Sequence, residues 1–535
     1  MRRTGPGARP YSGGPGWNGL SRWLADHDRT RKASLNAVAT GLDYGARVFV
    51  GFVVSPFLVA GLGEYLFGVW QILSRAIGSV SAAGGRTPQA LKWTIASRQE
   101  SRDYEEKRRQ VGSAVAVWFL FLPVLAVAAG ALGWLGPSLL AAPVELVGTV
   151  RVAIALLAVN LIAMTMADIP RSVLGGENLG YKRLGASTAL ILVGGGLTIT
   201  ALYLGAGLPG VAAAQLATTV LSGAIFLKVA RSHVAWFGVA WPSLDAGRRF
   251  LGLSWWFMVW RLVMQVMMAG DILILGLLGR VELVTAYVLT KYAAETMLGF
   301  GAIVTGGIAP GLGGIIGSGA LAKAIRVRNE MMALTWLTIT TVATTVLLFD
   351  RDFVRLWVGE KYYAGLSETL VIVLMLMQFV LIRSDAQVID LTLNVRCKVL
   401  LGVFSALLSL LLAATLVRVF DWGIVGMCLG LMAGRSVLSL AYPGLLGRFL
   451  GLSLGSQLRG AIRPGVVMGA LLIAGLRFEP IFVGQTWSQL VVGVAATAVT
   501  VGMVAFYAGL TPEGRRSLLG RVRQVARPGG TNSSR

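Results

Sequence analysis

Residues 184–227 read LGASTALILVGGGLTITALYLGAGLPGVAAAQLATTVLSGAIFL, 44 positions without a charged side chain. A hydrocarbon core of about 30 Å takes about 20 helical residues at 1.5 Å each. The stretch therefore predicts two spans, with the turn supplied by Gly205-Ala206-Gly207-Leu208-Pro209-Gly210. Polar and apolar residues do not alternate, which argues against a membrane barrel. The surroundings agree. Of 535 residues, 55% are hydrophobic and 14% charged, against roughly a quarter charged in soluble domains. Mean hydropathy is +0.70. A soluble enzyme with a small anchor lacks the polar skin to hide such surface, and a disordered chain would be poorer in apolar residues. The expected class is an all-α polytopic membrane protein.

Apolar stretches of spanning length recur near 36–61, 64–84, 112–135, 148–170, 185–205, 209–228, 250–278, 283–317, 329–349, 367–392, 399–417, 423–446, 464–483 and 486–509, fourteen in all. With the N-terminus inside, 35 of the 48 basic residues fall in cytoplasmic segments and 7 in outer ones. Basic residues collect on the cytoplasmic side, so both termini are expected there, and most of the +23 net charge needs no nucleic-acid partner. Residues 1–34 read as a disordered cytoplasmic tail with no cleavable signal peptide, and the first span is retained.

Gly63 closes one apolar run and Arg75 follows twelve residues later; Gly279 closes another and Lys291 follows at the same interval. This suggests a repeat of six spans. Six is even, so both copies face the same way, with a cavity between them near the midplane. The expected organisation is an N-lobe over 35–230, a linker over 231–249, a C-lobe over 250–447, two additional helices over 448–509 and a basic tail over 510–535.

Charges within spans cost roughly 2.5–3.5 kcal/mol each at a helix centre and persist facing protein or water. Asp43 and Arg47 stand four apart on one helix face, as do Lys291 and Glu295, so internal ion pairing competes evenly with a functional role. Arg75, Arg261 and Arg435 have no carboxylate within four residues in sequence and are expected to line the cavity. Arg383, Asp385 and Asp390, like Asp168 and Arg171, read as markers of span ends. A basic cavity suits an anionic substrate, since guanidinium matches phosphate oxygens with paired donors. Arg47, Arg75, Arg261, Lys291 and Arg435 are thus the candidate diphosphate-binding residues. Asp43, Asp271 and Glu295 are the candidate gating or ion-coupling groups.

Motifs for covalent chemistry are missing: there is no G-x-x-x-x-G-K-[ST], H-E-x-x-H, C-x-x-C or G-x-S-x-G. Cys397 and Cys428 suggest no disulfide framework or metal site, and His27 and His233 fall in polar connections. No cofactor, metal or enzymatic activity is expected. The run Arg98–Arg109 reads as a solvated amphipathic cytoplasmic helix, and the glycine-rich run Gly301–Gly319 as a packing surface or, second to that, a hinge.

Several stretches resemble the Wzx-type polysaccharide flippases of the multidrug/oligosaccharidyl-lipid/polysaccharide (MOP) exporter superfamily. They are Phe353-Val354-Arg355-Leu356-Trp357-Val358-Gly359-Glu360-Lys361-Tyr362-Tyr363; Gly270-Asp271-Ile272-Leu273-Ile274-Leu275-Gly276 running into Ala286-Tyr287; Tyr442-Pro443 with Leu446-Gly447-Arg448-Phe449-Leu450-Gly451; and, more loosely, Gly175-Gly176-Glu177-Asn178-Leu179-Gly180-Tyr181. The resemblance covers about residues 35–510. It implies twelve core spans in two six-helix lobes, two extra helices and alternating access. The implied cargo is an undecaprenyl-diphosphate-linked oligosaccharide crossing a bacterial inner membrane for exopolysaccharide, capsule or O-antigen assembly. Membrane lipids, a polymerase and other glycan-assembly proteins are the implied partners. A lipid II flippase and a cation-coupled multidrug exporter are the alternatives within the superfamily. A polytopic glycan polymerase would need a larger outer loop than 350–366.

Overall fold

The computed structural model describes residues 17–83, 101–177, 184–241, 244–317, 320–391, 395–478 and 485–526, with a few positions between 88 and 95 and residue 179. Among these there are fourteen α-helices and no strand: α1 (Trp17–Ala83), α2 (Tyr104–Leu139), α3 (Val147–Gly176), α4 (Leu184–Tyr203), α5 (Gly207–His233), α6 (Leu244–Leu277), α7 (Val281–Gly317), α8 (Leu321–Trp357), α9 (Leu366–Leu391), α10 (Val395–Arg418), α11 (Gly423–Leu450), α12 (Leu454–Phe478), α13 (Trp487–Val504) and α14 (Pro512–Ala526). Twelve segments among the described residues are long and apolar enough to cross a membrane. The chain is a multi-pass membrane protein.

The first two expected spans form one helical element, α1, bent at Gly63 (φ 75°, ψ 172°). Positive φ is open to glycine and strained for other residues, so the chain reverses there without a loop. Helix α1 begins at Trp17, inside the stretch expected to be a disordered tail; residues 1–16 lie outside the described residues. The glycine-rich span near 283–317 is a single helix, α7. Gly301 lies against the Val380 side chain of α9, a packing role.

A constant register runs through both halves. Gly63 and Gly279 (φ 75° and 73°), Gly205 and Asp421 (70° and 54°), and Gly207 and Gly423 (54° and 50°) each stand 216 residues apart. Packing repeats in the same register. Helix α2 lies on α3 as α8 lies on α9; α3 packs on α5 as α9 packs on α11; α4 packs on α5 as α10 packs on α11. Gly430 and Gly434 of α11 rest directly on the backbone of Ala413 and Ser409 of α10, the small-residue approach by which helices associate in lipid. The two halves meet where α1 packs on α6 and α7, and α12 and α13 pack on α8.

The Arg98–Arg109 run is, over its described part, a largely exposed amphipathic helix that starts at Tyr104 and turns Lys107 inward. Asp103 caps α2 by accepting from the Glu106 N–H, and Lys107 and Gln110 are buried. Lys107 Nζ lies 2.8 Å from Glu177 Oε1, which also accepts from the Trp236 indole N–H at 3.0 Å. Glu177 thereby ties α2, α3 and the segment after α5 together. The Phe353–Tyr363 stretch is not a free outer loop, because α8 continues to Trp357 and a short 3-10 turn follows at Glu360–Tyr362.

Candidate functional site

Counting from the two kinks places the central charges. Arg75 and Lys291 each lie twelve residues, about 18 Å of helix, beyond their glycine, near the middle of a hydrocarbon core of about 30 Å. There α1, α6 and α7 adjoin, and four charged side chains meet. Lys291 Nζ is 2.5 Å from Asp271 Oδ2 of α6 and 3.0 Å from Glu295 Oε1, one turn along α7. The Tyr287 hydroxyl donates to Asp271 Oδ2 at 2.6 Å, and the Ile272 N–H donates to Asp271 Oδ1 at 2.8 Å. Arg75 Nη2 of the first half lies 3.6 Å from the same Glu295 oxygen. Cations at matching positions of the two halves thus share one carboxylate.

Burial divides this network. Asp271 and Lys291 are 2% and 4% exposed, so Asp271 depends on Lys291, and removing the lysine leaves it stranded at a cost of about 3–5 kcal/mol. The Arg75 and Glu295 side chains are 30% and 35% exposed. A bridge of that kind contributes roughly 0.2–1 kcal/mol and opens readily.

Arg435 of α11 is buried, and no carboxylate among the described residues pairs with it. Its Nη2 donates to the Met267 carbonyl at 2.5 Å, and its guanidinium lies 5.2 Å from the Phe379 ring centroid. Met267 is one turn before Asp271, so Arg435 sits beside the central network. Arg261 is half-buried on α6, ten residues before Asp271, about 15 Å along the helix.

Asp43 and Arg47 part company. Asp43 is buried and accepts from the Ser187 hydroxyl at 2.8 Å and the Thr188 hydroxyl at 3.2 Å, both on α4. Arg47 is exposed and lines a cavity of about 170 Å³ within the first half, bounded by α1, α3, α4 and α5. Asp168 and Arg171 of α3 line it too, 3.6 Å apart. Of the span-end charges in the second half, Asp385 binds Arg328 at 2.9 Å and Asp390 binds Lys398 at 2.6 Å. Arg75, Lys291, Asp271 and Glu295 are therefore brought together with Arg435 alongside, while Arg47 and Asp43 lie elsewhere in the first half.

Tyr287 and Arg171 carry roles that the sequence reading passed over. Tyr287 stands one turn before Lys291, and that four-residue spacing was the available signal. Other contacts seal the meeting of the halves. Tyr292 donates to the Val48 carbonyl at 2.8 Å, Trp357 Nε1 donates to the Phe52 carbonyl at 2.7 Å, and the Phe52 and Trp357 rings stack with centroids 5.6 Å apart. Thr285 donates to the Glu64 carbonyl at 2.7 Å nearer the kinks.

No protein-family model and no curated protein matches the chain. Solved structures do. The lipid II flippase MurJ in its inward closed conformation is 12% identical, with a TM-score of 0.64 covering 92% of this chain and 99% of that one. An inward-facing multidrug resistance MATE family transporter of the MOP superfamily is 15% identical, with a TM-score of 0.60 over 79% and 95%. The eukaryotic MATE transporter AtDTX14 is 16% identical, with a TM-score of 0.60 over 78% and 95%. The chain has the fold of these membrane transporters and this flippase.

Proposed function

We propose that this chain is a flippase that carries an undecaprenyl-diphosphate-linked oligosaccharide unit from the inner to the outer leaflet of a bacterial inner membrane. The carrying observation is the meeting of Arg75 and Lys291, one cation from each half, on Glu295. A diphosphate offers the same kind of oxygen as Glu295, with more charge and more acceptors. It would displace the loosely held Glu295 from Arg75, and Lys291, Arg435 and Arg261 would extend the cationic surface. Arg47 would meet the headgroup on its way through the first half. Asp271 holds Lys291 oriented, and Asp43 and Glu295 serve as counter-ions or coupling groups. The protein lowers the barrier to moving a polar head through hydrocarbon. No bond is made or broken, so no cofactor is required. In this reading 35–230 and 250–447 are the two moving lobes, both termini are cytoplasmic, and a polymerase takes the glycan on the far side.

The test is glycan export in a strain lacking the chromosomal copy and supplied with the Arg75→Ala, Arg261→Ala double variant. Export is expected to fall at least tenfold at equal protein level; export at the wild-type rate sinks the proposal. Two neighbouring readings have their own support. The MurJ likeness extends over 92% of this chain, so lipid II, which also carries a diphosphate, is the nearest alternative, tested by rescue of lipid II flippase depletion. The carboxylates Asp43, Asp271 and Glu295 are what a cation-coupled drug exporter would use, tested by a drug-sensitivity panel on the same deletion strain.

A further inference from the structure

The two halves share a framework but differ in the residues that line one place within it. In the first half, α1, α3, α4 and α5 line an open cleft of about 170 Å³. One water needs about 10–15 Å³ of such space, so the cleft has room for a molecular group. In the second half several matching positions are apolar, while Thr219 and Ala167 are matched by Arg435 and Arg383. At the register of 216 residues, Arg47, Ser187, Ser222 and Phe226 correspond to Val263, Val403, Leu438 and Tyr442. Those four belong to one apolar cluster. Thr218 corresponds to Gly434, which lies on the Ser409 backbone.

The lining has a definite chemistry. Ser187 spends its hydroxyl proton on Asp43, Thr218 on the Ala214 carbonyl and Ser222 on the Thr218 carbonyl. Each oxygen keeps a lone pair for an incoming donor. Arg47 and Arg171 bring guanidinium donors, and Asp168 brings a further acceptor. The Arg171 guanidinium lies 5.8 Å from the Phe226 ring centroid and 3.6 Å from Asp168, loosely held at about a third exposure. The lining holds two cations and one carboxylate, with a second carboxylate, Asp43, directly behind Ser187. Interleaved acceptors and donors of both signs suit a polyhydroxylated group. Apolar drugs and bare phosphate each use only part of that set.

We propose that this pocket, wholly inside the first half, is the subsite for the sugar adjoining the phosphate of the cargo, separate from the central network that takes the diphosphate. The assignment rests on the flippase reading above. It makes the transporter asymmetric: the first half reads the saccharide and the second half contributes charge.

The test uses the purified full-length protein and two probes, farnesyl diphosphate and farnesyl diphosphate-linked N-acetylglucosamine, with binding followed by calorimetry. The wild type is expected to bind the sugar-bearing probe more tightly. Ser222→Leu, which installs the second half's residue, and Arg171→Gln are each expected to weaken that probe about tenfold or more, the loss of a charge-assisted contact or two. Both are expected to leave farnesyl diphosphate within about twofold. Arg75→Ala is expected to weaken both probes alike. Melting temperatures show whether Ser222→Leu folds, and Arg171→Gln carries the test if it does not. Pocket variants that change neither probe, or both equally, overturn the subsite and leave the flippase reading standing. Failure of both probes to bind the wild type overturns the flippase reading itself. Free N-acetylglucosamine 1-phosphate competing as well as the lipid-linked probe would make this a soluble sugar-phosphate site and overturn the proposal.

Discussion

Lys291 has two acids within reach, and the unequal burial of those acids decides what its replacement does. Lys291→Met removes the partner of Asp271, which is 2% exposed and then keeps only the Tyr287 hydroxyl and the Ile272 N–H. The expected loss is about 3–5 kcal/mol of stability. Asp271→Asn costs less, since Lys291 retains Glu295 at 3.0 Å. The double variant should fall short of the summed losses by about 1–3 kcal/mol, measured as unfolding midpoints of detergent-purified protein. Strict additivity would show that the two residues do not act as a pair. At this scale the sequence was informative where a charge interrupts an apolar run, which is how Arg75, Asp271, Lys291 and Glu295 stand out. Tyr287 stood in a family-like stretch, but nothing local showed that its hydroxyl meets Asp271, because a tyrosine in an apolar helix looks like any other ring. Arg171, next to Pro170 at a span end, looked like a loop marker. The Asp43–Arg47 spacing suggested a pair, but the hydroxyls of Ser187 and Thr188, 144 and 145 residues away in the chain, compete for the carboxylate, and no local pattern reveals them.

Helices were legible because burial in lipid demands long apolar runs, and each expected span overlaps an observed helix. Their ends were less so. Helix α8 covers 321–357 where hydropathy alone marks 329–349, and α2 starts at Tyr104 ahead of the apolar run, because helices continue past the hydrocarbon wherever polar side chains find partners such as Lys107 with Glu177. The kinks test the repeated framework directly. A Cβ at Gly63 or at Gly279 meets nothing within 4 Å, yet both residues hold positive φ. Gly63→Ala and Gly279→Ala therefore carry backbone strain without steric clash, about 1–3 kcal/mol each, and are expected to lower the melting temperature by similar amounts. Gly196 of α4 also faces open space but is helical, so Gly196→Ala should be neutral or stabilising by up to about 1 kcal/mol. If all three variants melt alike, the strained turns are not shared features of the two halves.

Relative movement of the halves is what transport asks of the whole molecule, and the interface is built unevenly for it. Away from the charges it is tied by Tyr292 to Val48, Trp357 to Phe52 and Thr285 to Glu64. At its centre the link is the part-exposed Arg75–Glu295 bridge, the contact that cargo would break first. The number of spans followed from hydropathy, but which helices of one half face the other depends on side chains far apart in sequence, so this interface could not be read in advance. Pinning it gives the last prediction. Cys397 is exposed and Cys428 buried, so Cys397→Ser removes the reactive background. On that background Arg75→Cys with Glu295→Cys places two thiols across the bridge, within reach of a flexible bis-methanethiosulfonate linker. Cross-linking in membranes is expected to abolish flipping, and reduction to restore the activity of the uncross-linked double variant, whatever level the lost charges leave. Each single cysteine treated the same way should keep its untreated rate. A cross-linked protein that still flips at the untreated rate would mean that the halves need not separate along α1 and α7, and the movement would then have to lie within one half.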